Sequence, residues 1–312
     1  MSLPPADVEI TDDLVGLLLA GQHPDLAHLP AARAATGWDN VVYRLGEEYA
    51  VRLPRRRSAA ELLRHEIEHL PALAPNLPLP VPAVLRTGRP GYGYPYEWAV
   101  VPWFPGRSAA LAEPAERDGY AAELGRFLAA MHAEAAGRAP TSVFRGTGLA
   151  LRQAAVEHRL AEFGNGLFSP AASEGFGPGS VEVLRRIFAD GLAADVHPGV
   201  PLWLHGDPHP HNVVFGPDGT LAAVVDFGDL TSGDPAGDLG MAWLHFTPAG
   251  RAEFRSAYDD AAGVAPEAAD ALWRRARGWG VHYALIAILQ DPSEPLHGVG
   301  RHAVATLLGE LA

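Results

Sequence analysis

Between Leu202 and Trp243 the sequence LWLHGDPHPHNVVFGPDGTLAAVVDFGDLTSGDPAGDLGMAW sets His205, Asp207, His209, His211, Asn212, Asp226, Asp229, Asp234 and Asp238 between short apolar runs. Polar side chains on loops held by a rigid scaffold often line a functional cleft. Asn212 follows Asp207 by five residues, and a turn at Gly216-Pro217-Asp218-Gly219 leads through LAAVV to Asp226. A loop and hairpin so spaced can bring three oxygen-bearing side chains together. Hard oxygen donors suit Mg2+, which takes one or two protein carboxylates and fills its shell with water and phosphate oxygens. The histidines leave a second chemistry open. His205, His209 and His211 stand at i, i+4 and i, i+2 spacings that suit zinc, but Pro208 and Pro210 exclude a helix there. Ordinary turn chemistry is the plainest alternative for Asp207, Asn212 and Asp226, because Asp and Asn favour loops in any case.

The chain around this segment has 312 residues, 48% apolar and 20% charged, enough for a substantial core in one large domain or two lobes. Its net charge of −13 repels nucleic-acid phosphates and anionic lipid. All 24 basic residues are arginine, which excludes chemistry that needs a lysine amine, and there is no cysteine to form a disulfide or a thiolate zinc site. The acidic start MSLPPADVEITDD lacks the basic and apolar regions of a signal peptide. The apolar runs Leu14–Ala20 and Tyr283–Leu289 fall far short of the roughly 20 residues that span a bilayer. The expectation is a cytoplasmic protein with neither a nucleic-acid nor a membrane partner.

Several elements must position the polar residues. Thr11 before Asp12 and Asp13 reads as the capped start of a helix to about Leu19. VVYRL and YAVRL, flanking Gly46-Glu47-Glu48, read as a hairpin over Val41–Leu53. A helix follows at about Ala59–Leu70, with Leu63, Ile67 and Leu70 as its stripe and Pro71 as its stop. Tyr92–Val101 suggests two short strands broken by Pro95, and Pro102–Gly106 a stiff connector. Beyond it the pattern predicts helices at Glu116–His132, Leu149–Phe163 and Ser180–Leu192, with a loop at Gly164–Gly179. Strands at Pro201–Leu204, Val213–Phe215 and Leu221–Val225 come next, then helices at Leu239–Leu244, Arg251–Ala261, Pro266–Leu289 and Gly298–Leu311. The fold class is α+β and bilobal. A small β-rich N-terminal lobe with one main helix (residues 1–101) and a connector (102–106) precede a larger, mainly helical C-terminal lobe (107–312).

His205-Gly206-Asp207 with Asn212, followed by Asp226-Phe227-Gly228, resembles the catalytic loop and metal-binding motif of the protein-kinase-like superfamily. Gly233-Asp234-Pro235 and Asp238-Leu239 are similar to the aminoglycoside phosphotransferase family in particular. Further matches are Gly37-Trp38-Asp39-Asn40, Ala50-Val51-Arg52-Leu53-Pro54-Arg55, Leu77-Pro78 through Pro82, and Leu124–Leu128 ending at His132. The likeness covers roughly residues 30 to 290.

The resemblance implies Asp207 as catalytic base for a substrate hydroxyl, and Asn212 and Asp226 as holders of Mg2+ on the phosphates of ATP or GTP. Arg52 stands where such kinases carry a phosphate-binding lysine, and it differs from an ammonium in plane and reach. Its ion-pair partner should be Glu66, beside the Leu63 stripe, rather than Glu68 on the opposite helix face. The single-glycine turn at Gly37–Asn40 puts Asn40 at the phosphates, and adenine should lie against Pro102–Phe104. His205 is expected to support the loop, Asp234 to cap a helix before Pro235, and Asp238 to brace the catalytic loop. Trp273 and Trp279 read as core residues. From Pro201 to Ala312, fourteen acidic residues face six arginines, which suits a polycationic acceptor such as an aminoglycoside. Macrolide-, choline-, sugar- and homoserine-like acceptors are also implied. The reading is an ATP- and Mg2+-dependent O-phosphotransferase acting on a small molecule. The alternatives are a silent nucleotide-binding pseudokinase and a histidine metallohydrolase.

Overall fold

The computed structural model describes residues 4–135, 137, 139–165, 174–177, 179–216 and 219–310. The chain forms two compact units, Met1–Pro105 with Val224–Leu230, and Gly106–Ala223 with Thr231–Ala312.

The first unit is built on an antiparallel sheet of β1 (Ala31–Thr36), β2 (Asn40–Leu45), β3 (Tyr49–Pro54), β4 (Arg86–Gly88) and β5 (Trp98–Pro102) in the order β1-β2-β3-β5-β4. Gly46 turns the β2–β3 hairpin with φ +59°. Helix α1 (Asp12–Gln22) starts where Thr11 Oγ1 accepts from Leu14 N at 3.2 Å. Its Val15, Leu18 and Leu19 pack with Tyr43, Val51, Leu53 and Trp98 on one face of the sheet. Helix α2 (Arg57–Leu73) lays Leu63 against Ala50, Ala99 and Val101 on the other. Because side chains alternate along a strand, Arg52 shares the α2 face with Ala50, and β3, central in the sheet, buries both faces.

The second unit is mainly helical, with α3 (Ala121–Met131), α4 (Gln153–Asn165), α5 (Ser180–Ala193), α6 (Ala236–Leu239), α7 (Ala242–His245), α8 (Pro248–Ala262), α9 (Pro266–Ile288) and α10 (Pro295–Gly309). Strands β6 (Arg107–Ser108), β8 (Val213–Phe215) and β9 (Leu221–Val224) form one small sheet, and β7 (Leu202–Leu204) pairs with β10 (Thr231–Gly233). The middle of α9 is its core, with Trp279, Ala284, Leu285 and Ile288 almost wholly buried.

Several sequence expectations change. Helix α2 runs past Pro71, because a proline in the last turn removes only one amide donor, and the chain then tightens into a 3-10 turn at Ala74–Asn76. Tyr92–Val101 yields one strand, β5, since Gly91 and Tyr94 close a tight turn upon each other. Strands β1 and β4 are additional. The helix expected at Leu239–Leu244 divides into α6 and α7 around Gly240, where a Cβ would come within 2.6 Å of Trp279 Cβ. Val224–Leu230, expected with the helical part, packs with the first unit, Val224 N donating to Pro80 O at 3.2 Å. Most of the Gly164–Gly179 loop, Pro217 and Asp218 of the turn, and Leu311 lie outside the described residues.

Leu63 is 1% exposed and is the α2 residue that closes the sheet's second face. Leu63→Ala is therefore expected to destabilise the protein by about 2–5 kcal/mol, read as a fall in denaturation midpoint; an unchanged midpoint would contradict this packing.

Candidate active site

Arg52, on the central strand, is 6% exposed, a costly place for a cation without a partner. The partner comes from one turn beyond Leu63: Glu66, 1% exposed, accepts from both Arg52 Nη1 and Arg52 Nη2, the latter at 3.0 Å. This bidentate geometry is the one a guanidinium makes and an ammonium does not. Asp226 adds a third charge, its Oδ1 3.4 Å from Arg52 Nη2. Burial opposes the charge on Arg52, but Glu66 and Asp226 outweigh it and raise the guanidinium pKa. The Glu66 carboxyl is pushed up by burial, which Arg52 opposes and Asp226 reinforces. Two carboxylates against one guanidinium leave a single net negative charge when all are ionised. Asp226 also has φ +61°, a left-handed conformation that Asp tolerates better than most residues and one that recurs at functional sites. Its side chain is 54% exposed. Asn40 opens β2, and its Oδ1 is buried without a hydrogen-bond partner. Glu68 is largely exposed, 4.0 Å from His69.

In the second unit Asp207 is the centre of a basic group. Arg145 Nη2 lies 3.0 Å from its Oδ1 and His209 Nε2 3.4 Å from its Oδ2. Burial pushes the Asp207 carboxyl up, but Arg145, with His209 and His205 behind it, holds it well below the usual carboxylate range. Asn212 Nδ2 donates to Asp207 O at 2.9 Å, which leaves Oδ1 as the side chain's other terminal atom and a hard acceptor. His205 is fully buried, and Asp207 N donates to its Nδ1 at 3.2 Å. Asp238 accepts from His205 N at 2.8 Å and from Gly206 N at 3.0 Å, and His132 Nε2 stands 3.2 Å from it. Gly206 bends the loop with φ +88°. Asp234 accepts from Ala236 N at 3.0 Å, as a cap would, but its main partner is Arg275 of α9, at 2.8 and 3.1 Å.

The histidines have other partners than a metal. His211 Nδ1 is 3.4 Å from Ser108 Oγ, and burial, helped by His209, pushes the His211 ring down to about 4. Among the described residues no three His, Asp or Glu side chains are grouped as a metal site. Arg145 and Arg275 were not singled out from the sequence. Each is placed by long-range packing, and Arg145 lies in a Gly-flanked segment without periodicity.

A sheet unit whose central strand holds an Arg–Glu pair, together with a helical unit that braces an Asp-bearing loop, defines the class: a kinase-like phosphotransferase. The chain belongs to the phosphotransferase enzyme family, whose model matches residues 31–279. Among solved structures it is similar to the GDP complex of aminoglycoside 2'-phosphotransferase-IIIa, at 18% identity over 97% of this chain and 100% of that one, with a TM-score of 0.61. A macrolide 2'-phosphotransferase from Brachybacterium faecium matches at 25% identity over 96% of this chain and 98% of that one, TM-score 0.59. An ADP-bound aminoglycoside phosphotransferase of type APH(2'')-Ib matches at 18% identity over 89% and 94%, TM-score 0.53. No curated protein matches the sequence. The protein is thus a small-molecule phosphotransferase.

Removing one partner of a buried ion pair strands the other. Glu66→Leu is expected to cost about 3–5 kcal/mol, and Arg52→Leu/Glu66→Leu distinctly less than either single change, as a double-mutant cycle in denaturant would show. Asp207 gives a pH prediction. A carboxyl whose folded pKa lies below its unfolded value contributes stability that is complete above the unfolded value and is lost as pH falls through the folded one. Arg145→Met raises the folded value, so acid unfolding followed by tryptophan fluorescence should begin at higher pH than in the parent. Superimposed acid transitions would contradict the pairing.

Proposed function

We propose that the protein transfers the γ-phosphoryl group of ATP, with Mg2+, to a hydroxyl of a small molecule. The observation that carries this reading is Asp207, an acidic carboxylate held at one end of a loop that Asp238 braces through two backbone amides, within the matched family segment. In this reading Asp207 accepts a hydrogen bond from the acceptor hydroxyl and aligns its oxygen on phosphorus. The new P–O bond forms as the bond to the bridging oxygen of the diphosphate breaks, and the hydroxyl proton passes to Asp207. A carboxylate of such low pKa is a weak base, so its contribution is chiefly orientation, with proton transfer late, as a loose transition state permits. Asn212 and Asp226 would hold Mg2+, which when bound neutralises phosphate charge. Arg52, fixed by Glu66, would face the phosphates, and Asn40 Oδ1 would find its partner in the turn that covers them. His205, Asp234 and Asp238 support the loop.

The similar solved structures include an aminoglycoside and a macrolide phosphotransferase, and both kinds of acceptor belong in the panel. The test is turnover of ATP or GTP with such a panel and Mg2+. Asp207→Asn is expected to abolish phosphoryl transfer while leaving the nucleotide's thermal shift intact, whereas Asp226→Ala should remove the Mg2+-dependent part of that shift. A parent protein that binds nucleotide and phosphorylates nothing would favour the silent pseudokinase instead.

A further inference from the structure

The surroundings of Asp207 in the second unit are basic, although the C-terminal sequence is acidic overall. Arg145, which pairs with Asp207, lies 5.6 Å from the ring centroid of Tyr283 on α9. Tyr283 stacks on Trp279 at 5.4 Å, and His282 stands 5.5 Å from Trp279 and 5.3 Å from Tyr283. Two members of this ring cluster end in polar atoms with no hydrogen-bond partner: Trp279 Nε1 and His282 Nδ1, on residues 1% and 7% exposed. Thr147 Oγ1 and Arg152 Nε, just beyond Arg145 in sequence, are likewise buried and without a partner. Buried polar groups are normally satisfied, so the orphaned atoms of the touching Trp279 and His282 rings, with two more on the segment that carries Arg145, point to a ligand that supplies what the protein does not.

The charges say which kind. Burial first, and then the guanidinium groups of Arg159, Arg152 and Arg145, push the His282 ring down to about 3. Arg152 closes the 3-10 turn Leu149–Arg152 and Arg159 lies on α4, and both elements pack against α9, which carries Trp279 and His282. Arg152 Nη2 donates to Val143 O at 2.9 Å and Arg159 Nη1 to Ala155 O at 3.4 Å, both neutral carbonyls. Glu162, the carboxylate that acts on Arg159, lies 3.1 Å from His158 Nε2. Guanidinium forks match the geometry of carboxylate and phosphate oxygens, and an indole N–H can only donate.

Resting on the phosphotransferase reading, we propose that the acceptor carries an oxyanion, a carboxylate or a phosphate, bound by Arg145, Arg152 and Arg159 with Trp279 and His282 donating from α9, and that its reacting hydroxyl is thereby presented to Asp207. Arg145 is shared between the anion and Asp207, which couples acceptor binding to the catalytic carboxylate. A polycation at this place meets three like charges.

The experiment titrates the full chain, held in ADP and Mg2+ so that phosphate-binding groups on the nucleotide side are filled, with inorganic sulfate, phosphate, acetate and kanamycin in separate arms. The Trp279 indole N–H and the His282 ring are followed by NMR, with Trp279→Phe for assignment. An anion is expected to move the indole proton downfield and to raise the pH at which His282 titrates, with acetate or the tetrahedral ions the stronger according to which oxyanion the site takes. Arg152→Gln/Arg159→Gln should weaken anion affinity about ten- to a hundredfold and leave ADP affinity unchanged. Unmoved Trp279 and His282 signals at saturating anion, or kanamycin bound more tightly than every anion, would overturn the proposal. The wild-type signals read the site whether or not the variant folds. Failure of ADP to bind would count against the phosphotransferase reading alone, since the anion titration can be read without it.

Discussion

A guanidinium cannot remain in the middle of a sheet unless a carboxylate follows it there, and the first unit is arranged around that requirement. Arg52 sits on the strand with neighbours on both sides, where its own backbone is fully paired. Its charge must be met from above the sheet, which fixes the register of α2: Leu63 has to seal the face so that Glu66 can reach the two guanidinium nitrogens. The same group binds Asp226, so the segment Val224–Leu230 packs with the sheet unit although the residues on either side of it do not. In a chain without lysine, this pairing gains from the substitution. A planar fork held at two points has less freedom to rotate than an ammonium on a flexible stem.

Much of that arrangement was legible because it is local. The hairpin announces itself by two β-rich runs around a glycine, and Glu66 follows from helix periodicity once Leu63 and Leu70 mark the buried stripe. The His-Gly-Asp loop and Asp226 are short motifs whose chemistry is written in residue type and spacing. What stayed hidden depends on residues far away in sequence. Strand β1, AARAAT, is alanine-rich and exposed along its whole length, so neither β-propensity nor alternation marks it; its pairing with β2 does. Asp234 before Pro235 reads as a cap, yet Arg275, 41 residues on, takes most of its hydrogen-bonding capacity. Arg145 gives no signal at all, since only the folded second unit brings it to Asp207.

Net charge proved a coarse guide for the same reason. The acidic C-terminal stretch is a sum over side chains, many of them engaged away from Asp207: Asp190 with Arg274 and Arg277, Glu310 with Arg251, and Asp234 with Arg275. Such pairs compensate charge locally, so the total says little about any one site. Around Asp207 the field is set first by Arg145, with His209 and His205 behind it, and Arg145 lies outside a tally of the last hundred or so residues.

One contact in the second unit bears on how acceptor range can change over time. Gly146, with φ +66°, lies so close to Gly233 of β10 that a Cβ on Gly233 would stand 1.9 Å from Gly146 O. The segment carrying Arg145, Thr147 and Arg152 is thus riveted to a strand through bare backbone on both sides. For the acceptor site proposed here, exchange of that segment's side chains one at a time would re-tune selectivity, while drift of the main chain is barred by two glycines whose close approach leaves no room for a Cβ.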